Sequence, residues 1–410
     1  MNRLRPPRRR ALLIVENLSV PFDRRVWTEA ETLRAAGWQV VAISPRGEGG
    51  WRWHETIQGV EVFRYPLPTT ATGLTAHLLE YAVALPMTLL LALLVRLRGR
   101  IDVVQACNPP DFLFPIGRLL RTLGAAFVFD QHDLGPELYL AQGGRRGGAV
   151  HRLLLWAERQ TYRAADAVIA TNETYRRFAT ARGGLPADQV FVVRTAPDPG
   201  RIYRVEPDPA RKAGRRWLVV YLGTMGVQDG VDLFLRAAAA IARRRPGQVR
   251  FLAVGGGDEL EALRRLATSL DLDDDLGFTG RIPDDELRVV LSSADLGVSP
   301  DPKNGFNEFC TMNKTLEYMA VGLPVAAFDL EETRVSGGDA AAYAQPNDPD
   351  ALATTILELL DDPARRAALG RVGLERMGGS LSWAASADRL LAAYQRAVDR
   401  RQADQLAARD

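Results

Sequence analysis

Short apolar runs alternate with amphipathic stretches along the first half of the chain. Leu12–Val15 predicts a buried strand, Arg25–Ala36 predicts a helix, and Val40–Ser44 predicts the next strand. This β–α–β order is typical of a parallel sheet that is covered by helices. Further strands are predicted in the same half over Val60–Tyr65, Val103–Ala106, Ala126–Asp130, Ala167–Ala170 and Val190–Val193.

The same alternation starts again in the second half. Trp217–Leu222 predicts a strand that leads into a glycine turn, and Val231–Arg243 predicts the helix after it. The remaining strands are predicted over Arg250–Val254, Leu296–Ser299 and Pro324–Phe328, and the remaining helices over Asp258–Leu270, Pro349–Leu360, Pro363–Arg376 and Trp383–Arg401. The pattern therefore predicts an α/β protein with two Rossmann-like, doubly wound domains.

The length of 410 residues agrees with two or three domains. The segment Pro197–Arg216 is rich in Pro, Asp and Arg, and we place the domain boundary there. We predict an arm over residues 1–10, one domain over 11–200 and a second over 201–378. The segment 379–410 is predicted to be a C-terminal helix that can pack back on the N-terminal domain.

The net charge of +2 is unevenly distributed. Taking away the five positive charges of the arm leaves −3 on the rest of the chain, which argues against a nucleic-acid-binding protein. The arm is either a solvated terminus or a contact for anionic lipid. Its arginines are Arg3, Arg5, Arg8, Arg9 and Arg10.

The cysteines and histidines of the sequence give no indication of a metal site. Cys107 and Cys310 form no CxxC pair, which favours a reducing compartment and argues against structural zinc, and the four histidines show no metal-ligand spacing.

The apolar run after the arm ends at Glu16 and is shorter than the roughly 7–15 residues of a signal-peptide core. We therefore expect a cytoplasmic protein.

The segment Tyr81–Val95 is almost entirely apolar and contains Pro86. It is shorter than the roughly 20 residues that span a bilayer. One interpretation is a helix packed inside the first domain. The other is an interfacial helix in one leaflet, with Arg96, Arg98 and Arg100 at the lipid headgroups.

The segment Asn304–Phe328 is the most informative candidate for chemistry. Thr311 or Asn313 is predicted to cap a helix whose first backbone N–H groups can bind an anion. Lys314 adds positive charge to that first turn, and Glu317 can accept hydrogen bonds from sugar hydroxyls. The alternative is a capped surface helix with an ordinary Lys–Glu pair.

Glycine turns follow two of the predicted strands in the second half. Backbone amides of Gly223–Gly226 can approach a phosphate closely, as can those of Gly255–Gly257 with a weaker pattern. Many such turns contain glycine without binding phosphate, so neither turn alone indicates a nucleotide site.

Polar loops also follow strands of the first domain, where ligands of open α/β sheets bind. His132 can hydrogen-bond a substrate or transfer a proton, or it can simply pair with Asp133. Asn108 and Asp111 belong to a proline-rigidified loop of the same kind. Arg25, at a helix start, can reach a phosphate or form a surface salt bridge.

These features together resemble the retaining glycosyltransferases of family 4, which have the GT-B fold of two Rossmann-like domains facing a cleft. The loops around Asn108 and His132 look like those of members that build bacterial surface polysaccharides. The string that carries the resemblance consists of Asn313, Lys314, Glu317, Tyr318, Met319, Ala320, Gly322, Pro324 and Val325.

The resemblance implies that the C-terminal domain binds a nucleotide-diphosphate sugar, that the N-terminal domain binds the acceptor, and that no metal or other cofactor takes part. It implies that Glu317 holds the ribose, that His132 contacts the donor sugar, and that Glu308 approaches the sugar hydroxyls. The remaining donor contacts that it implies are Gly223, Thr224, Gly226, Thr311, Met312, Asn313 and Lys314 at the diphosphate and Arg281 and Ile282 at the base.

The chain departs from the family pattern at two places. The family often has two glutamates eight positions apart, but Phe309 stands eight before Glu317 and Glu308 stands nine before it. The family also often has Arg and Lys after the second glycine turn, whereas Met225–Gly230 contains no cation. Lys314 must then supply more of the positive charge, or an arginine such as Arg25 or Arg281 must help.

The resemblance implies sugar transfer with retention to a lipid-linked or polysaccharide intermediate of cell-surface glycan synthesis, by an enzyme peripheral on the inner face of the membrane. One alternative is a catalytically silent partner that binds a nucleotide sugar or lipid and scaffolds another transferase. Another is a nucleotide-sugar epimerase on the same fold. A dinucleotide oxidoreductase is disfavoured because the first loop lacks GxGxxG.

Overall fold

The computed structural model of the chain describes residues 9–47, 52–67 and 74–407. The chain divides into two compact units. The N-unit comprises the described residues up to Tyr139, together with Arg145–Arg194 and the residues from Ser386 onwards. The C-unit comprises Leu140–Gly144 and Thr195–Ala385.

An eight-stranded sheet forms the centre of the N-unit within the described residues, in the order β3-β4-β2-β1-β5-β6-β7-β8. The strand β3 runs antiparallel to β4, and the other pairs are parallel. The strands are β1 (Arg10–Ile14), β2 (Gln39–Pro45), β3 (His54–Ile57), β4 (Val60–Tyr65), β5 (Val103–Cys107), β6 (Ala126–Gln131), β7 (Ala167–Ala170) and β8 (Val190–Val192).

Helices cover this sheet and begin where side chains can cap them. The Asp23 carboxylate accepts from the backbone N–H of Val26 at 3.1 Å, and Asn172 accepts from that of Tyr175 at 2.8 Å. The helices of this part of the chain are α1 (Arg24–Ala35), α2 (Leu74–Leu97), α3 (Phe114–Thr122), α4 (Gly135–Ala141), α5 (Ala149–Ala164) and α6 (Glu173–Gly183).

A six-stranded parallel sheet forms the centre of the C-unit, in the order β11-β10-β9-β12-β13-β14. Its strands are β9 (Trp217–Leu222), β10 (Val249–Val254), β11 (Leu276–Gly280), β12 (Leu296–Ser299), β13 (Val325–Phe328) and β14 (Ala341–Ala344). Its helices are α7 (Val231–Arg244), α8 (Leu260–Ser269), α9 (Asp284–Ser293), α10 (Asn313–Ala320), α11 (Glu331–Gly337), α12 (Pro349–Asp361) and α13 (Pro363–Gly378).

The last helix, α14 (Trp383–Ala407), belongs to the N-unit from Ser386 onwards. The Ser386 hydroxyl donates to the Arg194 carbonyl at 2.9 Å. Tyr394 is fully buried and packs edge-on against Trp38, with 5.4 Å between the ring centroids. The C-terminal segment therefore completes the hydrophobic core of the N-unit.

The structure corrects the extent of the basic arm. Arg10 opens β1, pairs with Glu61 at 3.2 Å and donates to the Val95 carbonyl at 3.1 Å. Arg9 donates to Gln395 at 2.8 Å. These two arginines are therefore part of the folded unit. The other three, Arg3, Arg5 and Arg8, lie outside the described residues.

The structure also corrects the length of the apolar segment around Tyr81–Val95. The helix α2 has 24 residues, and its part Leu79–Leu97 has a mean hydropathy of 1.7 with 28% of that stretch buried. By length and composition, α2 is a candidate membrane span within the described residues. The helix thus extends beyond the predicted apolar run at both ends.

Candidate functional site

The helix α10 follows β12 through a long loop and carries the central basic side chain of the C-unit site. Its N-cap is Met312 and no side chain caps it, so the predicted capping by Thr311 or Asn313 was wrong. Lys314 is 7% exposed and ion-pairs with Asp301. Burial alone would lower the pKa of its amine, but Asp301 and then Asp229 raise it, so Lys314 is positively charged at neutral pH.

Lys314 lies against the glycine turn that follows β9. Its amine is 5.3 Å from the centroid of the Tyr221 ring. A Cβ added to Gly223 would come within 3.1 Å of the Lys314 Cε, and Gly223 has a φ of +151°, which side chains rarely adopt. The close approach of the lysine to this turn therefore requires glycine at position 223.

The two glycine turns of the C-unit pack against each other. Met225 donates its backbone N–H to the Gly256 carbonyl at 3.1 Å, and Gly223 donates to Val254 at 3.0 Å. A Cβ on Gly255 would stand 1.9 Å from the Gly223 carbonyl oxygen. The Gly255–Gly257 turn therefore supports the Gly223–Gly226 turn.

Asp229 occupies part of the turn that was predicted to approach a phosphate. Its carboxylate accepts from the Gly226 backbone N–H at 2.9 Å and from the Thr224 hydroxyl at 3.0 Å. The Gly226 amide therefore already has an anionic acceptor, and its contact with a phosphate stays a prediction. Thr224 itself is exposed.

Glu317 lies one turn after Lys314 on α10 and ion-pairs with Arg201, while Arg201 also pairs with Asp284 at 3.0 Å. The side chain of Glu317 is 17% exposed. The Glu317 side chain is therefore partly accessible, and the second partner of Arg201 means that the arginine does not depend on Glu317 alone.

Glu308 and Thr311 lie in the loop before α10. Glu308 Oε1 pairs with Lys303 at 3.2 Å and accepts from the Glu331 backbone N–H at 3.2 Å. Glu308 Oε2 is buried and has no hydrogen-bond partner among the described residues. The Thr311 hydroxyl lies 3.3 Å from Glu332. Glu308 Oε2 is thus unpaired among the described residues but covered by the protein.

The loop implied to read the nucleotide base follows β11. Gly280 has a φ of +68°, and its carbonyl accepts from the Gly255 backbone N–H at 3.0 Å. Arg281 is exposed and Ile282 packs at the edge of the C-unit core. The loop is therefore tied to the same glycine turns, while Met312 is buried and Asn313 exposed at the start of α10.

The N-unit holds a buried polar network at the end of β6. His132 Nε2 is 2.7 Å from Asp130, and Arg25 bonds the same carboxylate at 2.9 Å. Burial alone would raise the pKa of Asp130, but Arg25 and His132 hold that pKa well below its usual value. Burial, followed by the charge of Asp130, raises the pKa of Glu29 to about 8, so Asp130 is the ionised member of the two.

Three residues proposed as acceptor or phosphate contacts are corrected by this network and its loop. Arg25 is 8% exposed and also donates to the Val193 carbonyl at 2.9 Å, so its guanidinium is a buried structural group. Asn108 bonds Asp111 at 3.1 Å and accepts from the His132 backbone N–H at 2.7 Å. Both Asn108 and Asp111 are buried and hold the loop in shape.

Ligand atoms of Cys107, Asp130 and His132 lie within 4.8 Å of one another, which is close enough to hold a metal ion. The Arg25 guanidinium shares the Asp130 carboxylate, so a divalent cation there would meet a fixed positive charge. The donor set therefore fits a hydrogen-bond network better than a metal site.

Several site residues were missed by the sequence analysis. Asp301 follows β12, so the strand-end rule that found His132 also applies to it. Arg201 and Gln105 carry no such signal, because their partners are 116 and 76 residues away in sequence. Such contacts become visible only in the folded chain.

Both halves of the chain match known glycosyltransferase families. Residues 23–196 match the family described as "Glycosyl transferase 4-like domain", and residues 216–362 match "Glycosyl transferases group 1". The chain aligns over 98% of its length with sucrose-phosphate synthase from Thermosynechococcus elongatus, covering 100% of that chain with a TM-score of 0.78 and 21% identity.

Curated relatives agree with these matches. The chain is 30% identical over 299 residues to D-inositol 3-phosphate glycosyltransferase of Thermobispora bispora, covering 68% of this chain and 66% of the relative. It is 33% identical over 220 residues to the GDP-mannose-dependent alpha-(1-6)-phosphatidylinositol monomannoside mannosyltransferase of Mycolicibacterium smegmatis, covering 51% and 56% respectively. The match thus spans somewhat less than two thirds of each relative.

The two α/β units with mainly parallel sheets, together with the structural match over nearly the whole chain, define the fold class as GT-B. The chain belongs to the group 1 glycosyltransferases with a family 4-like N-terminal domain. The resemblance of the Asn313–Val325 string to family 4 is thereby confirmed.

Proposed function

We propose that this protein transfers a sugar from a nucleotide-diphosphate sugar to a hydroxyl group of an acceptor, with retention at the anomeric carbon. The observation that carries the proposal is the start of α10, where the charged Lys314 amine lies against the Gly223 turn and Glu317 follows one turn later. The names of the relatives support a nucleotide-sugar donor, since one of them is GDP-mannose-dependent.

In this reaction the bond between the anomeric carbon and the phosphate oxygen breaks, and its electron pair goes to the leaving diphosphate. The acceptor oxygen bonds to the anomeric carbon from the same face, and its proton goes to the leaving phosphate oxygen. Lys314 and the first backbone N–H groups of α10 stabilise the growing charge. We propose that these groups, rather than a metal ion, neutralise the diphosphate.

We propose that Glu317 accepts hydrogen bonds from the ribose hydroxyls of the donor. Hydrogen bonds to a charged group contribute about 1.5–3 kcal/mol, so Glu317→Ala should lower kcat/KM for the donor about 10- to 100-fold, mainly through KM. The measurement is steady-state transfer with the donor varied. Glu261→Ala is the control, because the Glu261 side chain is 74% exposed on α8.

Arg201 keeps its contact with Asp284 in the Glu317→Ala variant, so we expect little loss of folding stability. A denaturant titration of both variants checks this. Full activity in a folded Glu317→Ala protein would contradict the assignment of the donor site.

We propose a lipid-linked acceptor, which the exposed apolar face of α2 supports. Its buried face packs on the N-unit through Ala84, Thr88, Leu91, Ala92 and Val95. The opposite face, at helical spacing, carries exposed Leu79, Ala82, Pro86, Leu90 and Leu97. Arg98 and Arg100 follow at the C-terminal end, where they can meet anionic headgroups.

This placement predicts binding to anionic vesicles through α2. Leu90 is 60% exposed, so Leu90→Asp should weaken cosedimentation with phosphatidylglycerol vesicles at least about fivefold, because a charge would have to enter the lipid interface. Leu123→Asp is the control, since Leu123 is 42% exposed at the end of α3. Equal vesicle binding by Leu90→Asp and Leu123→Asp would contradict membrane binding through α2.

One observation favours a second candidate function, a catalytically silent partner of another transferase. Asp229 puts a carboxylate where the family often has cations, and it takes the Gly226 N–H. The two functions differ in turnover. Release of nucleotide from any nucleotide sugar in the presence of membranes excludes the silent partner.

A further inference from the structure

A chain of buried hydrogen bonds connects the C-terminal helix to His132. The Tyr394 hydroxyl donates to Gln105 Oε1 at 2.7 Å. The other end of that amide, Gln105 Nε2, donates to Asp130 Oδ2 at 3.1 Å. Asp130 Oδ2 is in turn 2.7 Å from His132 Nε2. Tyr394, Gln105 and Asp130 have no exposed surface, so water does not compete for these bonds.

The Tyr394 hydroxyl helps to hold the orientation of the Gln105 amide. The Nε2 end of Gln105 also donates to Glu29 Oε2 at 2.6 Å, so it faces two carboxyl groups. The reversed amide would put its oxygen against the ionised Asp130 and leave Tyr394 without its acceptor. The Tyr394 donor and the two carboxyl groups therefore favour the same amide orientation, in which Gln105 donates to Asp130.

We propose that Tyr394 is a positioning residue that acts on His132 through Gln105 and Asp130. By holding the amide donor on Asp130, Tyr394 sets the orientation and hydrogen-bond strength of the carboxylate that holds the imidazole. This role of Tyr394 rests on the proposed function, because that function places His132 in contact with the donor sugar. It gives the C-terminal helix a role in the site of the N-unit beyond packing.

Other groups around His132 stay in place when Tyr394 changes. Arg25 keeps its two contacts to Asp130 and Glu29, at 2.9 and 3.2 Å. The charged and titratable groups that face the imidazole from the surrounding elements are Asp23, Arg25 and Glu29 from α1 and its cap, Cys107 from β5, and Asp130 and Asp133 from β6 and its loop.

The test measures the pKa of His132 by NMR of the full-length protein, with the signal assigned through His132→Gln among the four histidines. Tyr394→Phe keeps the ring against Trp38 and removes only the donor. Asp130 then loses part of its hydrogen bonding and attracts the imidazolium more strongly, so the His132 pKa should rise by about 0.5–1. Gln105→Met removes the same donor to Asp130 and should also raise the His132 pKa, and it leaves the Tyr394 hydroxyl without its acceptor.

Ser386→Ala is the matched control, because it removes a hydrogen bond between α14 and the Arg194 carbonyl outside this chain of contacts. It should leave the His132 pKa unchanged. A purely structural Tyr394 would alter thermal stability in Tyr394→Phe but not the His132 titration, and that result overturns the inference.

Activity separates this inference from the proposed function. If transfer occurs, Tyr394→Phe should lower kcat about 3- to 10-fold with unchanged donor KM, since the group misplaced is His132. A shifted His132 pKa in a protein that turns over no nucleotide sugar would support the coupling and contradict the function. An unshifted His132 pKa in a Tyr394→Phe enzyme that still turns over a nucleotide sugar would support the proposed function and contradict the coupling.

Discussion

Replacing Lys314 with glutamine is expected to lower kcat by roughly 10²–10³-fold, the largest loss we predict from one side chain. Lys314 is charged, 7% exposed and close to the Gly223 turn. A positive charge fixed in a site with little water stabilises developing negative charge far more than the same charge in solution. The fold loss in kcat should therefore exceed any fold rise in donor KM.

The glutamine amide can still donate to Asp301, which limits the cost of removing one member of a buried pair. The matched control is Lys212→Gln, which breaks a second Lys–Asp pair of the C-unit, between Lys212 and Asp295 at 2.8 Å. Steady-state kinetics and denaturant unfolding of both variants separate catalysis from folding. A folded Lys314→Gln enzyme within threefold of the wild-type kcat would contradict the role of Lys314.

Replacing His132 with alanine is expected to lower kcat by about 10²-fold with little change in donor KM, because loss of a positioning contact misaligns the sugar. Burial opposes the charged imidazole, but Asp130 raises the pKa of His132 above its ordinary value. The imidazolium thus persists to higher pH than in a free histidine, and its contribution should be lost as pH rises through that pKa.

His54→Ala is the matched control for this variant. His54 also pairs with a carboxylate, Glu61 at 2.9 Å, at the edge strand β3 of the same unit. Arg25 still neutralises Asp130 when His132 is removed, so the variant should fold. Unchanged kcat across the pH range in His132→Ala would place the donor sugar elsewhere.

Most of the buried strands were predictable. Ala167–Ala170, Trp217–Leu222 and Leu296–Ser299 have the predicted bounds, because each is buried on both faces and ends at polar or turn residues. Val60–Tyr65 also has the predicted bounds, although Glu61 and Arg64 interrupt its apolar sequence, whereas the apolar strand Ala341–Ala344 was not predicted. The strand β3 was missed because His54–Ile57 carries no apolar run and forms by pairing with β4. Local pattern does not reveal a strand that depends on its partner.

The residues of the candidate site also differ in whether local sequence could indicate their contacts. The placement of Lys314 and Glu317 on one helix was predictable because they stand close together in the sequence, and their roles stay predictions. Arg25 was misassigned because its partner Asp130 is 105 residues away, and a helix-start arginine looks the same in sequence whether it faces solvent or a buried carboxylate. The contact of Tyr394 with Gln105 spans 289 residues, so no spacing rule could indicate it.

The most direct test of the central claim is thermal unfolding of the full-length protein with UDP-, GDP-, dTDP- and ADP-sugars. A donor that binds only the folded protein at one hundred times its dissociation constant stabilises it by about 2.7 kcal/mol, which raises Tm. We predict a rise in Tm with the sugars of one nucleotide base and a smaller rise in Glu317→Ala. An unchanged Tm with all four donors at millimolar concentration would contradict a nucleotide-sugar site in the C-unit.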